Sequence, residues 1–252
     1  MSKTGKLARP GLAIALAALL AAAPSGAQES GGGGEGAAPV GGGALTGAEE
    51  TYDLLFRGGT LDEIDGGLVY TRKVRNTAAP EAAARDTGTI EIGFEEGSGD
   101  TPRLAAMRFH QDDRSKGIGS FPASVGNPVI MYFVESVIRD MAETAGGSPF
   151  YIRNRVKDAL VQPAEVETVT FEFDGTQVEG RAVTLRPFQN DPNRDRMQGF
   201  GDLALTVTMS EAVPGWYHGL TAEIEEDAGT DGARSDYRSV MTFEGMAGET
   251  AR

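Results

Sequence analysis

Beyond residue 60 the chain mostly alternates apolar and polar side chains with a period of two, the pattern of strands that bury one face. Leu68, Tyr70 and Arg72 share a face opposite Val69, Thr71 and Lys73. Ile90, Ile92 and Phe94 are set against Glu91 and Gly93, and Ala105, Met107 and Phe109 against Arg108 and His110. Val169, Phe171 and Phe173 run into Asp174-Gly175, a hairpin signal, and a return strand follows over about Gln177 to Pro187. Residues 203–210, 217–225 and 237–243 alternate in the same way between Gly, Pro and Asp breaks. The pattern predicts about eight strands joined by short or moderate turns, and hence an antiparallel sheet.

One block changes period. Asn127 is a good N-cap, Pro128 fits the first helical position, and Gly146-Gly147 closes the helix. Ile130, Phe133, Val134, Val137, Ile138, Met141 and Ala145 follow the helical period between these signals. A second helix starts near Ser148-Pro149 and carries Ile152, Val156 and Leu160. From Val129 to Val134 the first helix is apolar on every side, which places it in a core or over a cavity. A shorter helix is expected at the start of the domain, where Thr46 and Glu49 have capping-box spacing and Gly58-Gly59 supplies a stop.

Each strand offers a single apolar face, and that face must meet another element. The expected fold is therefore mainly β (α+β). It is a curved antiparallel sheet or incomplete β-barrel with the helix pair at about 128–160 on its concave face. This order of elements resembles, as fold-level analogy, the lipoprotein-carrier type of periplasmic half-barrel with a helical lid.

The first 46 residues read differently. Lys3, Lys6 and Arg9 precede an apolar run from Gly11 to Ala23, and Pro24 and Ser25-Gly26-Ala27 then complete a secretory signal with cleavage after Ala27. The run is about 13 residues, short of the roughly 20 that a spanning helix needs. Residues 28–46 hold eight glycines between Gly31 and Gly43 and read as a Gly-rich disordered linker, leaving residues 47–252 as one β-rich domain. A periplasmic or secreted location follows from this reading, with no membrane anchor after cleavage.

Composition narrows the function. The chain of 252 residues has no Cys, which excludes disulfides, thiol catalysis and cysteine-ligated metals. Its formal charge is −14, and removal of the basic leader makes it −17, the wrong sign for a nucleic-acid partner. No serine-hydrolase elbow, zinc-protease motif or phosphate loop occurs, and His110 and His218 are the only histidines. Asp191, Asn193 and Asp195 alternate as the first oxygen ligands of a calcium loop do, with Asp202 at the twelfth position. Arg196 replaces the turn glycine of such a loop, and the competing reading is a polar loop whose Arg and Asp side chains pair. A Ca²⁺ site there is thus an expectation held beside that of no cofactor.

The favoured reading is an exported, non-enzymatic binding or carrier protein for a hydrophobic small molecule or lipid-modified segment. Met131, Phe133, Met141, Phe171 and Trp216 are its expected lining. A cell-envelope structural module that recognises an envelope protein and a carboxylate-based hydrolase are the alternatives.

Overall fold

The computed structural model describes residues 44–98, 102–224 and 236–248. The expected leader, and the expected linker up to residue 43, lie outside the described residues. Among the described residues ten strands form one antiparallel sheet. They are β1 (Ala44–Thr46), β2 (Leu68–Asn76), β3 (Gly88–Glu95), β4 (Leu104–Gln111), β5 (Arg114–Pro122), β6 (Ala164–Phe173), β7 (Thr176–Leu185), β8 (Leu203–Met209), β9 (Tyr217–Ile224) and β10 (Tyr237–Met246). Across the sheet the order is β1-β6-β7-β8-β9-β10-β2-β3-β4-β5. The helices are α1 (Ala48–Leu55), α2 (Pro80–Asp86), α3 (Val129–Ala145) and α4 (Pro149–Leu160).

The expected fold class holds: the sheet is open, curved and antiparallel. Three details differ. The alternating pattern passes over β5, an edge strand whose sequence from Arg114 to Pro122 is polar and Gly-rich because little covers it. It also passes over β1 and α2, which are too short to show a period. The first helix begins at Ala48 with Gly47 at its N-cap and no side-chain cap, because Thr46 is taken up by β1 pairing with Ala164 of β6. The Asp174-Gly175 hairpin forms as expected, with both residues at positive φ (49° and 70°).

Topology explains where the helices lie. β5 is one edge of the sheet and β6 is next to the other. The connection between them must cross the whole sheet, and α3 and α4 are that connection. The register places Tyr70, Arg72 and Asn76 of β2 on one face with Phe243, Met241 and Tyr237 of β10. Ile90 and Ile92 of β3 continue that face on one side and Leu220 and Ala222 of β9 on the other. This inner face receives α3.

The helix is fixed there by an ion pair as well as by apolar burial. Arg72 Nη2 lies 2.6 Å from Asp140 Oδ2 of α3, with the two side chains 0% and 4% exposed. Tyr237 donates its hydroxyl to the same carboxylate oxygen (2.9 Å), and Arg72 Nε donates to Ser239 Oγ (3.2 Å). Arg72 Nη1 also reaches the Asp86 carbonyl at the end of α2 (3.4 Å). Around this core, Asp86 receives Arg85 and Arg139, and Asn76 donates to Thr144 of α3 (2.8 Å). Burial pushes the Asp140 carboxyl up, and the Arg72 charge pulls it back.

The other end of α3 is held by Asn127. Its Oδ1 accepts from the Val129 amide, and its Nδ2 donates to Tyr70 Oη and to the Gly215 carbonyl. Gly215 sits at φ 75°, and a Cβ there would lie 2.5 Å from Leu68 Cδ1, so only glycine fits.

Breaking a buried ion pair leaves an uncompensated charge. Arg72→Met and Asp140→Leu are each expected to lower unfolding free energy by about 3–5 kcal/mol. The double variant should lose less than either single one. Chemical denaturation of the four proteins as a double-mutant cycle measures this, and additive losses would contradict it.

Candidate functional site

The site grows from a pair of glycines. Gly146 and Gly147 end α3 and turn the chain into α4 at φ 75° and 92°, a region that disfavours any residue with a side chain. A Cβ at either position would meet nothing within 4 Å, so the space beside the elbow is left open. Met141 and Ala145 from α3, Ser148, Tyr151 and Ile152 from the start of α4, and Asn193, Arg196 and Met197 line a cleft there of about 440 Å³. The last three belong to the irregular segment between β7 and β8, which contains short 3₁₀ turns at Arg194–Arg196 and Phe200–Asp202.

That segment is seated firmly. Phe188 and Phe200 are buried, and the Phe200 ring packs 4.9 Å from that of Tyr237, the residue that holds Asp140. Asp191 is also buried. It accepts from the Tyr151 hydroxyl (2.7 Å to Oδ2) and from the Asn193 amide (2.8 Å to Oδ1), and Arg155 Nε pairs with it at 3.2 Å. Asn193 Nδ2 in turn donates to Tyr151 Oη (3.0 Å). These bonds tie the wall formed by the segment to the wall formed by α4. On the far side of α4, Arg153 grips Glu135 of α3 through two bonds of 2.7 Å, which fixes the angle of the elbow and raises the Arg153 pKa. Phe150, between Ser148 and Tyr151, is 74% exposed.

The residues read from the sequence scatter. Met141 lines the cleft. Met131 and Phe133, from the first half of α3, are buried in the core. Trp216 is 7% exposed and caps α1: its Nε1 donates to the Leu54 carbonyl (2.9 Å), the neighbouring Tyr217 hydroxyl donates to the Leu55 carbonyl, and Arg57 lies 4.5 Å over its ring. Phe171 stacks on His218 at 4.0 Å, with Phe173 edge-on to the same imidazole and 6.1 Å from Phe243.

In the Asp-rich segment, Asp191 is engaged by Tyr151 and Arg155, Asp202 is bonded to Arg194, and Asp195 is exposed. Asn193 faces the cleft. Among the described residues no three His, Asp or Glu side chains converge as metal ligands would. Tyr151, Arg196 and Met197 belong to no motif that predicts the cleft. The one local signal is Gly146-Gly147 between two helical stripes.

No family model matches the sequence, and no curated protein does. Among solved structures, the Mycobacterium tuberculosis lipoprotein LppX is similar over 78% of this chain and 94% of its own, at 6% identity and a TM-score of 0.31. A likeness of that size bears on neither ligand nor activity. Among the described residues no helix is long and apolar enough to cross a membrane.

The aromatic cluster yields a pH prediction. Among the described residues His218 Nδ1 is buried without a hydrogen-bond partner, and burial lowers the pKa of the imidazole. A histidine with a lowered folded pKa binds its proton more readily when unfolded, so it costs stability below its ordinary value of about 6.5 and nothing above it. The stability difference between His218→Phe and the parent protein is therefore expected to be constant above about pH 7 and to shift in favour of the variant as pH falls below 6.5. Denaturation midpoints across pH 5 to 8 test it, and a pH-independent difference refutes it.

Proposed function

We propose that this chain is a non-enzymatic binding or carrier protein that takes a small, largely apolar ligand into the cleft at the α3–α4 elbow. One observation carries the reading: the cleft has about 440 Å³ of space walled by Met141, Ala145, Ile152 and Met197. Small-molecule sites of roughly 300–1,000 Å³ combine such apolar walls with a few placed polar groups. Here those groups are Ser148, Tyr151, Asn193 and Arg196. Two methionines suit the role, because their flexible thioethers fit ligands of varied shape. With a leader at residues 1–27, the protein would meet its ligand in the periplasm or outside the cell.

The lining carries no Asp, Glu or His, so a carboxylate-based hydrolase has no acid–base pair at this cleft. The interaction-module alternative rests on β5, which pairs only with β4 among the described residues. That edge bears exposed Arg114 and Lys116 and ends in Pro122, features that discourage the addition of another strand. The cleft is the stronger basis.

Binding is measurable with N-phenyl-1-naphthylamine, a neutral apolar probe that fluoresces when it leaves water. Its emission is expected to rise with this protein. Ala145→Trp, which fills the cleft from a partly exposed position, should weaken the affinity at least tenfold, about 1.4 kcal/mol, with the melting temperature unchanged. No rise in emission, or equal affinity in the variant, would overturn the proposal.

A further inference from the structure

The cleft has a charge opposite to that of its chain. The formal charge of the protein is −14, yet the only ionisable side chain of charged type in the lining is Arg196. Other arginines near it are engaged: Arg194 with Asp202, Arg155 with Asp191 and Asp158, and Arg153 with Glu135. Among the described residues no carboxylate lies within ion-pair reach of the exposed Arg196. The Asp191 carboxylate, which could have neutralised it, is turned inward and held by Tyr151, Asn193 and Arg155.

The surrounding polar groups have the matching geometry. Asn193 donates its side-chain amide to Tyr151, and Tyr151 donates its hydroxyl to Asp191, so both are committed to the wall. Apart from the neutral Ser148 hydroxyl, that leaves the Arg196 guanidinium as the charged group able to receive a charged head at the rim, with Met141, Ala145, Ile152 and Met197 available to an apolar tail. A cation would meet a like charge there. A neutral head could accept a hydrogen bond from it but would gain no charge pairing.

We infer that the ligand is a single-chain amphiphile with an anionic head, its tail in the elbow cleft and its carboxylate, sulfate or phosphate on Arg196. The inference rests on the binding function proposed above and adds the chemical class of ligand. A volume of about 440 Å³ suits one chain of moderate length, while larger diacyl lipids exceed it.

Displacement of bound N-phenyl-1-naphthylamine separates the two claims. Dodecanoate, 1-dodecanol and dodecyltrimethylammonium share a tail length and differ in head charge. Dodecanoate is expected to compete best and dodecyltrimethylammonium worst. Because Arg196 is exposed, its contribution is that of a surface pair, so Arg196→Gln should weaken dodecanoate about threefold to fivefold. The variant should weaken 1-dodecanol and the naphthylamine less than it weakens dodecanoate, and added salt should narrow the gap between dodecanoate and 1-dodecanol in the parent protein. Dodecyl sulfate and dodecyl phosphate, run below their micellar concentrations, distinguish among anionic heads. Equal competition by all three amphiphiles, or an Arg196→Gln effect equal on all of them, would overturn the anionic-head inference while leaving the cleft as a binding site. Failure of the naphthylamine to bind at all would instead remove the function on which it rests.

Discussion

Placing a guanidinium and a carboxylate together in the interior costs desolvation that their attraction only roughly offsets, so the value of the Arg72–Asp140 pair lies in what it selects. The early turns of α3 are apolar on every side, and a helix of that kind gains similar burial in several rotations and at several shifts along a sheet. One acid ends that degeneracy. Asp140 must meet Arg72, itself held by Ser239, and Tyr237 on the inner face, and a slide by one turn of about 5.4 Å would strand it. Asn127 sets the opposite end of the helix by bonding to Tyr70 and Gly215. Between these two polar anchors the apolar stripe has a single seat.

The candidate site inherits its position from that seat. Met141 follows Asp140 directly, Ala145 ends the same helix one turn later, and Gly146 and Gly147 come next in the chain. Tyr237, which donates to Asp140, is also the ring against which Phe200 packs, so the segment forming the opposite wall is referenced to the same point. The elbow angle comes from Arg153 and Glu135, and the missing side chains of the two glycines leave the volume. Fold and cleft are thus linked through a short chain of contacts: sheet to Asp140, Asp140 to the helix end, helix end to the open space.

Much of the architecture was legible in the residues, since period-two alternation is the direct consequence of a half-buried strand. Eight of the ten strands show it, and β5 does not because an edge strand with Gly117 and Gly119 has little face to bury. The clue to the central anchor was also present, in that Arg72 stands in line with Leu68 and Tyr70 on a face expected to be apolar. Its partner could not be read, because Arg72 and Asp140 are far apart in the chain and only the crossing connection brings them together. The same limit applies to the site. Met141 falls on a recognisable stripe, but Tyr151, Asn193 and Arg196 become neighbours through tertiary structure alone. Trp216, expected in the lining, lies away from the cleft for a related reason: its indole N–H satisfies a helix-end carbonyl at Leu54, a partner distant in the chain.

A hollow under the central helices would have placed ligand and core in competition, each needing the same apolar surface. The structure separates them. Phe133, Val137 and Ile138 are spent on the core, and the open volume lies where α3 ends, between helix termini and an irregular segment. Such elements open at lower free energy than packed strands do. The Tyr151–Asp191–Asn193 bonds hold this segment to α4, since parting the two walls would release the Asp191 carboxylate from its donors.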